Sequence, residues 1–222
     1  RPDFARMLRQ QAETDRTWRA AGDGFMQVEK INYRSSRGDL DIPAFVFQPL
    51  RTRGNRQHPA LVWVHENIRG HLYEHYIPYI REATAKGYIV IAPEYRGSVG
   101  YGKAFYDAID YGGNEVDDVV TAVEVLKAKY PQVDPSRIGI IGWSHGGMIT
   151  LLSIFRNPAL FKSAVAMVPV PDCTVPEAGA MRNHVERRPS RTCTVDAEIE
   201  REPADPTSVT LDARCDALVA TV

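Results

Sequence analysis

The sequence predicts an α/β fold built on a doubly wound, mostly parallel sheet, and three observations carry that expectation. Short, mostly apolar runs recur at 60–64, 88–92, 137–141 and 163–168, as expected for strands buried on both faces. Segments of helical periodicity separate them, which implies crossover connections between parallel strands. Polar and glycine-rich residues gather just past the runs, at His65-Glu66, Tyr95-Arg96 and Ser144, where the carboxyl ends of strands in such a sheet carry the chemistry.

Taken in order, residues 1–20 place Phe4, Met7, Leu8 and Ala12 at near-helical spacing among charges, a surface helix packed on one side. Val28, Ile31 and Tyr33, then 44–47, read as two strands joined through the polar turn Ser35-Ser36-Arg37-Gly38-Asp39, an antiparallel entry hairpin. A polar, basic link at 51–58 leads to the first buried strand at 60–64. Residues 76–85 form a helix with Pro78 in its first turn and Gly87 as its stop, before the strand at 88–92. Val116, Val119, Val120, Val123 and Leu126 fall at helical spacing with Asp117, Asp118, Glu124 and Lys127 between them. The acids near its start suit the positive end of the helix dipole.

The stretch Gly142-Trp143-Ser144-His145-Gly146-Gly147 joins the strand at 137–141 to an apolar helical pattern at 148–155. Gly-x-Ser-x-Gly in strand-turn-helix context is a nucleophile elbow. Glycines at 142 and 146 remove Cβ atoms that would clash in so tight a turn, and Gly147 allows close packing on the sheet. The Ser144 hydroxyl is thereby pushed above the strand, and the His145 backbone N–H, at a helix N-terminus, is free to meet a developing oxyanion.

Three further segments resemble the catalytic domain of the prolyl oligopeptidase family: Glu94 to Phe105 (EYRGSVGYGKAF), Tyr111-Gly112-Gly113 followed by Val116-Asp117-Asp118-Val119, and Val133 to Gly139 (VDPSRIG) leading into the elbow. The resemblance covers roughly residues 28–172. It implies an α/β-hydrolase fold, a Ser-Asp-His triad with Ser144 as nucleophile, and hydrolysis of small peptide or ester substrates through an acyl-enzyme. His145, with Glu66 and Asn67 in the loop after the strand at 60–64, is expected to form the oxyanion hole. Many α/β-hydrolases begin that loop His-Gly-Gly; here it is His65-Glu66-Asn67, similar to dienelactone hydrolases, which implies an esterase as the alternative. His65, Tyr95 and Trp143 are candidates for substrate contact. Tyr95 and Arg96 are expected mainly to order the loop that runs to Tyr101. His71, Glu74 and His75 have metal-like spacing without a further ligand and read as surface residues; nothing calls for a metal or cofactor.

After Asp172 the character changes. All 20 aromatics (3 Trp, 10 Tyr, 7 Phe) precede residue 162, while Cys173, Cys193 and Cys215 all follow Asp172, in an odd number that fits neither a closed disulfide framework nor a zinc signature. Residues 173–208 contain no apolar run fit for a buried strand. Asp172 and His184 satisfy the chain order Ser, acid, His, but the segment around His184 offers nothing to hold it. The expected division is therefore an N-terminal helical extension at 1–27, an α/β-hydrolase core at 28–172 and an atypical tail at 173–222, disordered or frame-shifted. The fold would then be incomplete at its C-terminus and the chain as it stands inactive. A non-catalytic protein that keeps the fold for binding is the competing class.

Composition narrows the partners. With 27 basic against 28 acidic residues and no basic run interleaved with aromatics, no nucleic acid is expected. No apolar stretch approaches the ~20 residues of a membrane helix, so a soluble protein is expected. No leader is visible after Arg1, which leaves cytoplasm and export both open, as is the oligomeric state.

Overall fold

The structure, a computed structural model, describes residues 1–170 apart from 39, and the backbone of residues 210–214 and 217–221. Helix α1 (Phe4–Gly22) leads into the hairpin β1 (Met26–Arg34) and β2 (Asp41–Pro49), paired antiparallel from Met26↔Pro49 to Arg34↔Asp41. Then follow β3 (His58–Val64), α2 (Ile77–Ala85), β4 (Ile89–Pro93), the short α3 (Lys103–Asp107), α4 (Asn114–Lys129), β5 (Val133–Trp143), α5 (His145–Arg156) and β6 (Ser163–Met167). β5 begins four residues before the expected strand, because Val133 pairs with His58 across an irregularity in the β3 ladder.

The sheet runs β1-β2-β4-β3-β5-β6, with β4, β3, β5 and β6 mutually parallel and the entry hairpin antiparallel. Because the chain leaves β3 for β4 on one side and reaches β5 on the other, the C-terminal end of β3 is a switch point, where crossovers diverge and leave a crevice. Beyond β6 the described backbone adds β7 (Thr210–Arg214) and β8 (Ala217–Thr221), with β8 antiparallel to β6. A further β-α-β step would have placed a parallel strand there, so the mostly parallel character holds for the centre of the sheet and not for its margins.

Each face of the sheet buries its own core, the reason the central strands read as unbroken apolar runs. On one face Val116, Val119, Val123 and Leu126 of α4, with Ile149 and Ile154 of α5, cover Val62, Val64, Ile89, Ile91, Ile138 and Ile140. On the other, Trp18 of α1 and Tyr76 and Ile80 at α2 cover Phe45, Phe47, Trp63 and Val90. The buried stripe of α1 differs from the expected one. Leu8 is exposed and Ala12 faces solvent, while Gln11, Thr14, Trp18 and Ala21 are buried. Trp18 decides the rotation: its ring lies against Phe45 and Phe47, and its Nε1 donates to the Leu72 carbonyl at 3.0 Å. Polar Thr14 is tolerated on that stripe because its hydroxyl reaches Glu74 Oε1 at 3.1 Å.

One buried ion pair ties the loop after β4 to α4. Arg96 Nε and Nη2 donate to Asp118 Oδ2 and Oδ1 at 2.8 and 2.9 Å, and the Arg96 backbone N–H reaches Oδ2 at 3.1 Å. The Ser35 hydroxyl donates to Oδ1 at 2.7 Å, which links the entry hairpin to the same carboxylate. Arg96 thus orders the loop from within.

Candidate active site

Ser144 stands between β5 and α5 with φ 53° and ψ −115°, a conformation that costs a side-chain-bearing residue about 1–3 kcal/mol unless its surroundings enforce it. They do. The Ser144 N–H donates to Met167 O at 2.9 Å, and its carbonyl accepts from Met148 N at 3.0 Å. A Cβ on Gly142 would lie 2.1 Å from the Gly146 carbonyl oxygen, and one on Gly146 would lie 2.3 Å from that of Val64. The two glycines therefore permit contacts that no other residue allows, and the strained serine sits on the only backbone that fits.

The same contact brings β3 to the elbow. Val64 and Gly142 are register partners, so His65, Glu66 and Asn67 leave the sheet beside Trp143, Ser144 and His145. The His65 ring is buried and stacked on Tyr95, with centroids 4.2 Å apart. Its Nδ1 lies 2.8 Å from Glu66 O, and its Nε2 3.0 Å from the Ser98 hydroxyl. Burial lowers its pKa to about 3, against the opposing hydrogen bond to Glu66, so the ring is neutral. The Tyr95 hydroxyl donates to the carbonyls of His65 and Asn67 at 3.1 and 3.3 Å, and Asn67 adopts φ 65°. Carbonyl oxygens of the loop are thus tied down, while the N–H groups of Glu66, Asn67 and His145 meet no acceptor among the described residues. Such amides can stabilise negative charge on a substrate oxygen.

The candidates for substrate contact separate by burial. Trp143 is 39% exposed beside a half-buried Ser144. His65 and Tyr95 are fully enclosed and spend their polar groups on the loop, so they support it rather than present a surface. Glu66 turns its carboxylate to His75, Oε1 to Nε2 3.3 Å. His71 is buried, unlike the expected surface residue, because its ring packs against Tyr73. Glu74 and His75 are exposed. Among the described residues no cluster of His, Cys, Asp or Glu is placed to hold a metal. Asp172 and His184, and the three cysteines, lie outside the described residues.

Residues that the sequence did not single out complete the underside. Glu115, in the first turn of α4, is wholly buried. It accepts from the N–H groups of Gly112 and, at 3.2 Å, Gly113, and it faces His145 Nε2 at 3.6 Å. Burial alone would raise its pKa, but the neighbouring His145 and Asp110 side chains and the backbone N–H groups outweigh it and hold the carboxyl at about 2. Asp110 is pushed up to about 7, by burial first and then by Glu115 itself.

A strand-turn-helix elbow at the switch point of a doubly wound sheet defines the α/β-hydrolase class. The profile of the prolyl oligopeptidase family, peptidase S9, matches residues 75–191, more than half of the 222 residues, and the chain belongs to that family. An uncharacterized peptidase of Bacillus subtilis, YuxL, is 35% identical over 142 residues, 62% of this chain and 21% of that protein. Human dipeptidyl peptidase 8 is 28% identical over 64% of this chain and 16% of its own. Among solved structures, a puromycin-hydrolyzing peptidase of Mycobacterium tuberculosis superposes with a TM-score of 0.60 at 27% identity, over 67% of this chain and 23% of that one. An acylaminoacyl peptidase in complex with Z-Gly-Gly-Phe-chloromethyl ketone gives 0.59 at 25%, over 67% and 24%. The chain spans about a fifth of the length of the curated relatives it matches.

Proposed function

We propose that the chain is a serine hydrolase that cleaves small peptide or ester substrates through an acyl-enzyme on Ser144. The observation that carries the reading is the elbow itself: a serine held at φ 53°, ψ −115° at a helix start, next to amide N–H groups without acceptors among the described residues. In the step this supports, Ser144 Oγ attacks the carbonyl carbon and its proton passes to a histidine base. The resulting oxyanion is met by the His145 N–H and an N–H of the Glu66–Asn67 loop, and collapse expels the leaving group as it takes up the proton. Water then repeats the sequence on the acyl-enzyme. Asp172 and His184 fit the order in which this fold supplies acid and base.

Peptide substrates are favoured by the peptidase relatives, one of them captured with a peptidyl chloromethyl ketone. The second reading, a dienelactone-hydrolase-like esterase, is favoured by His65-Glu66 in place of His-Gly. A fluorophosphonate probe tests the proposal. Label should appear on Ser144 by mass spectrometry and vanish in Ser144→Ala. Absence of label on Ser144 after long incubation would leave a non-catalytic binding protein as the better account. An unchanged labelling rate in His184→Ala would exclude His184 as the base, since losing the base costs several orders of magnitude. The ratio of rates on an acyl-aminoacyl anilide and a simple aryl ester separates peptidase from esterase.

A further inference from the structure

The Glu115 carboxylate is more than a loop staple. Its two bonds to Gly112 and Gly113 explain how the turn before α4 is held, and its place in the first turn suits the helix dipole. The same Oε1 that accepts from Gly112 is also the carboxylate oxygen that faces the His145 ring. That ring is buried between Tyr95 and Tyr111, with centroids 5.9 and 6.2 Å away. Its Nε2 makes no hydrogen bond among the described residues, and what it faces, at 3.6 Å, is Glu115 Oε1. The side chain of the residue after Ser144 is therefore enclosed against the Glu115 carboxylate, while its backbone N–H meets no acceptor among the described residues.

We propose that Glu115 is a positioning residue of the Ser144 site: through the His145 ring it fixes the peptide between Ser144 and His145 whose N–H stabilises the oxyanion. The proposal rests on Ser144 being the nucleophile. The physical need is clear from the backbone. Ser144 is strained, and a strained peptide stays in place only where its neighbours over-determine it. From the sheet side it is held by Met167 and from the helix by the Met148 N–H on the Ser144 carbonyl; the enclosed His145 ring adds a third hold. A donor displaced by about 1 Å loses much of its effect on rate. The other charged groups around Glu115 among the described residues are Asp110, Arg96, whose field acts on Asp110, and Arg156, which donates to the carbonyl of Gly112 at 2.6 Å.

The test is a double-mutant cycle read by the rate of fluorophosphonate labelling at Ser144, with melting temperature followed in parallel. Glu115→Gln and His145→Phe should each slow labelling roughly 10–100-fold, the scale of a displaced or lost oxyanion donor. The double variant should be no slower than the slower single one, because both break the same link. A loop-staple role alone would lower the melting temperature of Glu115→Gln and leave the labelling rate of the folded protein at the wild-type value, which would overturn the proposal. Multiplying effects in the double variant would overturn it too, since Glu115 would then act by another route. Failure of the wild type to label would instead remove the hydrolase reading, and this proposal with it.

Discussion

Replacing Asp118 by alanine isolates the buried ion pair that joins the β4 loop to α4. Arg96 is 2% exposed and Asp118 not at all, and the substitution removes three of the guanidinium and backbone contacts of Arg96 together with the acceptor of Ser35. Breaking one half of a buried pair costs about 3–5 kcal/mol. That is a large share of the roughly 5–15 kcal/mol that holds a typical domain together. At about 2–4 °C per kcal/mol for a chain of this size, the melting temperature should fall by roughly 6–20 °C. Urea or thermal unfolding followed by circular dichroism reads the change. Converting both partners at once, Arg96→Met with Asp118→Leu, should cost less than Asp118→Ala alone, since no charge is left buried. A loss under about 1 kcal/mol for Asp118→Ala, or a double variant weaker than the single, would show that the pair is not what fixes this loop.

Two further outcomes follow from the same contacts. Gly146→Ala sets a Cβ 2.3 Å from the Val64 carbonyl oxygen, a backbone clash that can be relieved only by separating α5 from β3; overpacking of this kind costs about 1–3 kcal/mol or more, and both melting temperature and Ser144 labelling should drop, against no change if the helix simply rides outward. Glu94 is fully buried, accepts from Leu72 N at 2.9 Å and has its pKa raised from 4.5 to about 7, chiefly by burial. Because the folded pKa lies above the unfolded one, its contribution to stability is fully present below pH 4.5 and is lost as pH rises through about 7. The ceiling is about 3 kcal/mol; Glu94→Gln should remove that fall between pH 5 and 8, and equal pH dependence in both proteins would refute it.

The centre of the fold was legible because its strands are buried on both faces. A run such as Ile89-Val90-Ile91-Ala92 has no polar position to confuse the period, and glycine and proline mark where the helices stop and start. The margins were less legible. In α1 the apolar residues Leu8 and Ala12 suggested one face, yet the helix turned to bury Trp18 and carried Gln11 and Thr14 inward with it. A single large ring outweighs several small apolar groups, and polar neighbours follow when a partner such as Glu74 is in reach. That partner is 60 residues away, so no local pattern announces it.

The site divides along the same physical line. The elbow was legible because backbone crowding demands glycine at 142 and 146, and a demand on residue type leaves its mark in any single sequence. Glu115 left a fainter one. It shares the spacing of Val119, Ala122 and Leu126, so periodicity alone assigns it to the buried face of α4. An acid in a first helical turn is ordinarily read as serving the dipole from solvent. The two readings differ in one respect: a solvated acid needs no partner, whereas an enclosed one must find hydrogen bonds or lose its charge. Gly112 and Gly113, just upstream, supply the amides, and His145, thirty positions on, supplies the ring. An acid that falls in phase with an apolar stripe, directly after a glycine turn, is therefore better taken as a buried carboxylate whose partner must be sought elsewhere in the chain. In this family member the partner sought is the residue next to Ser144.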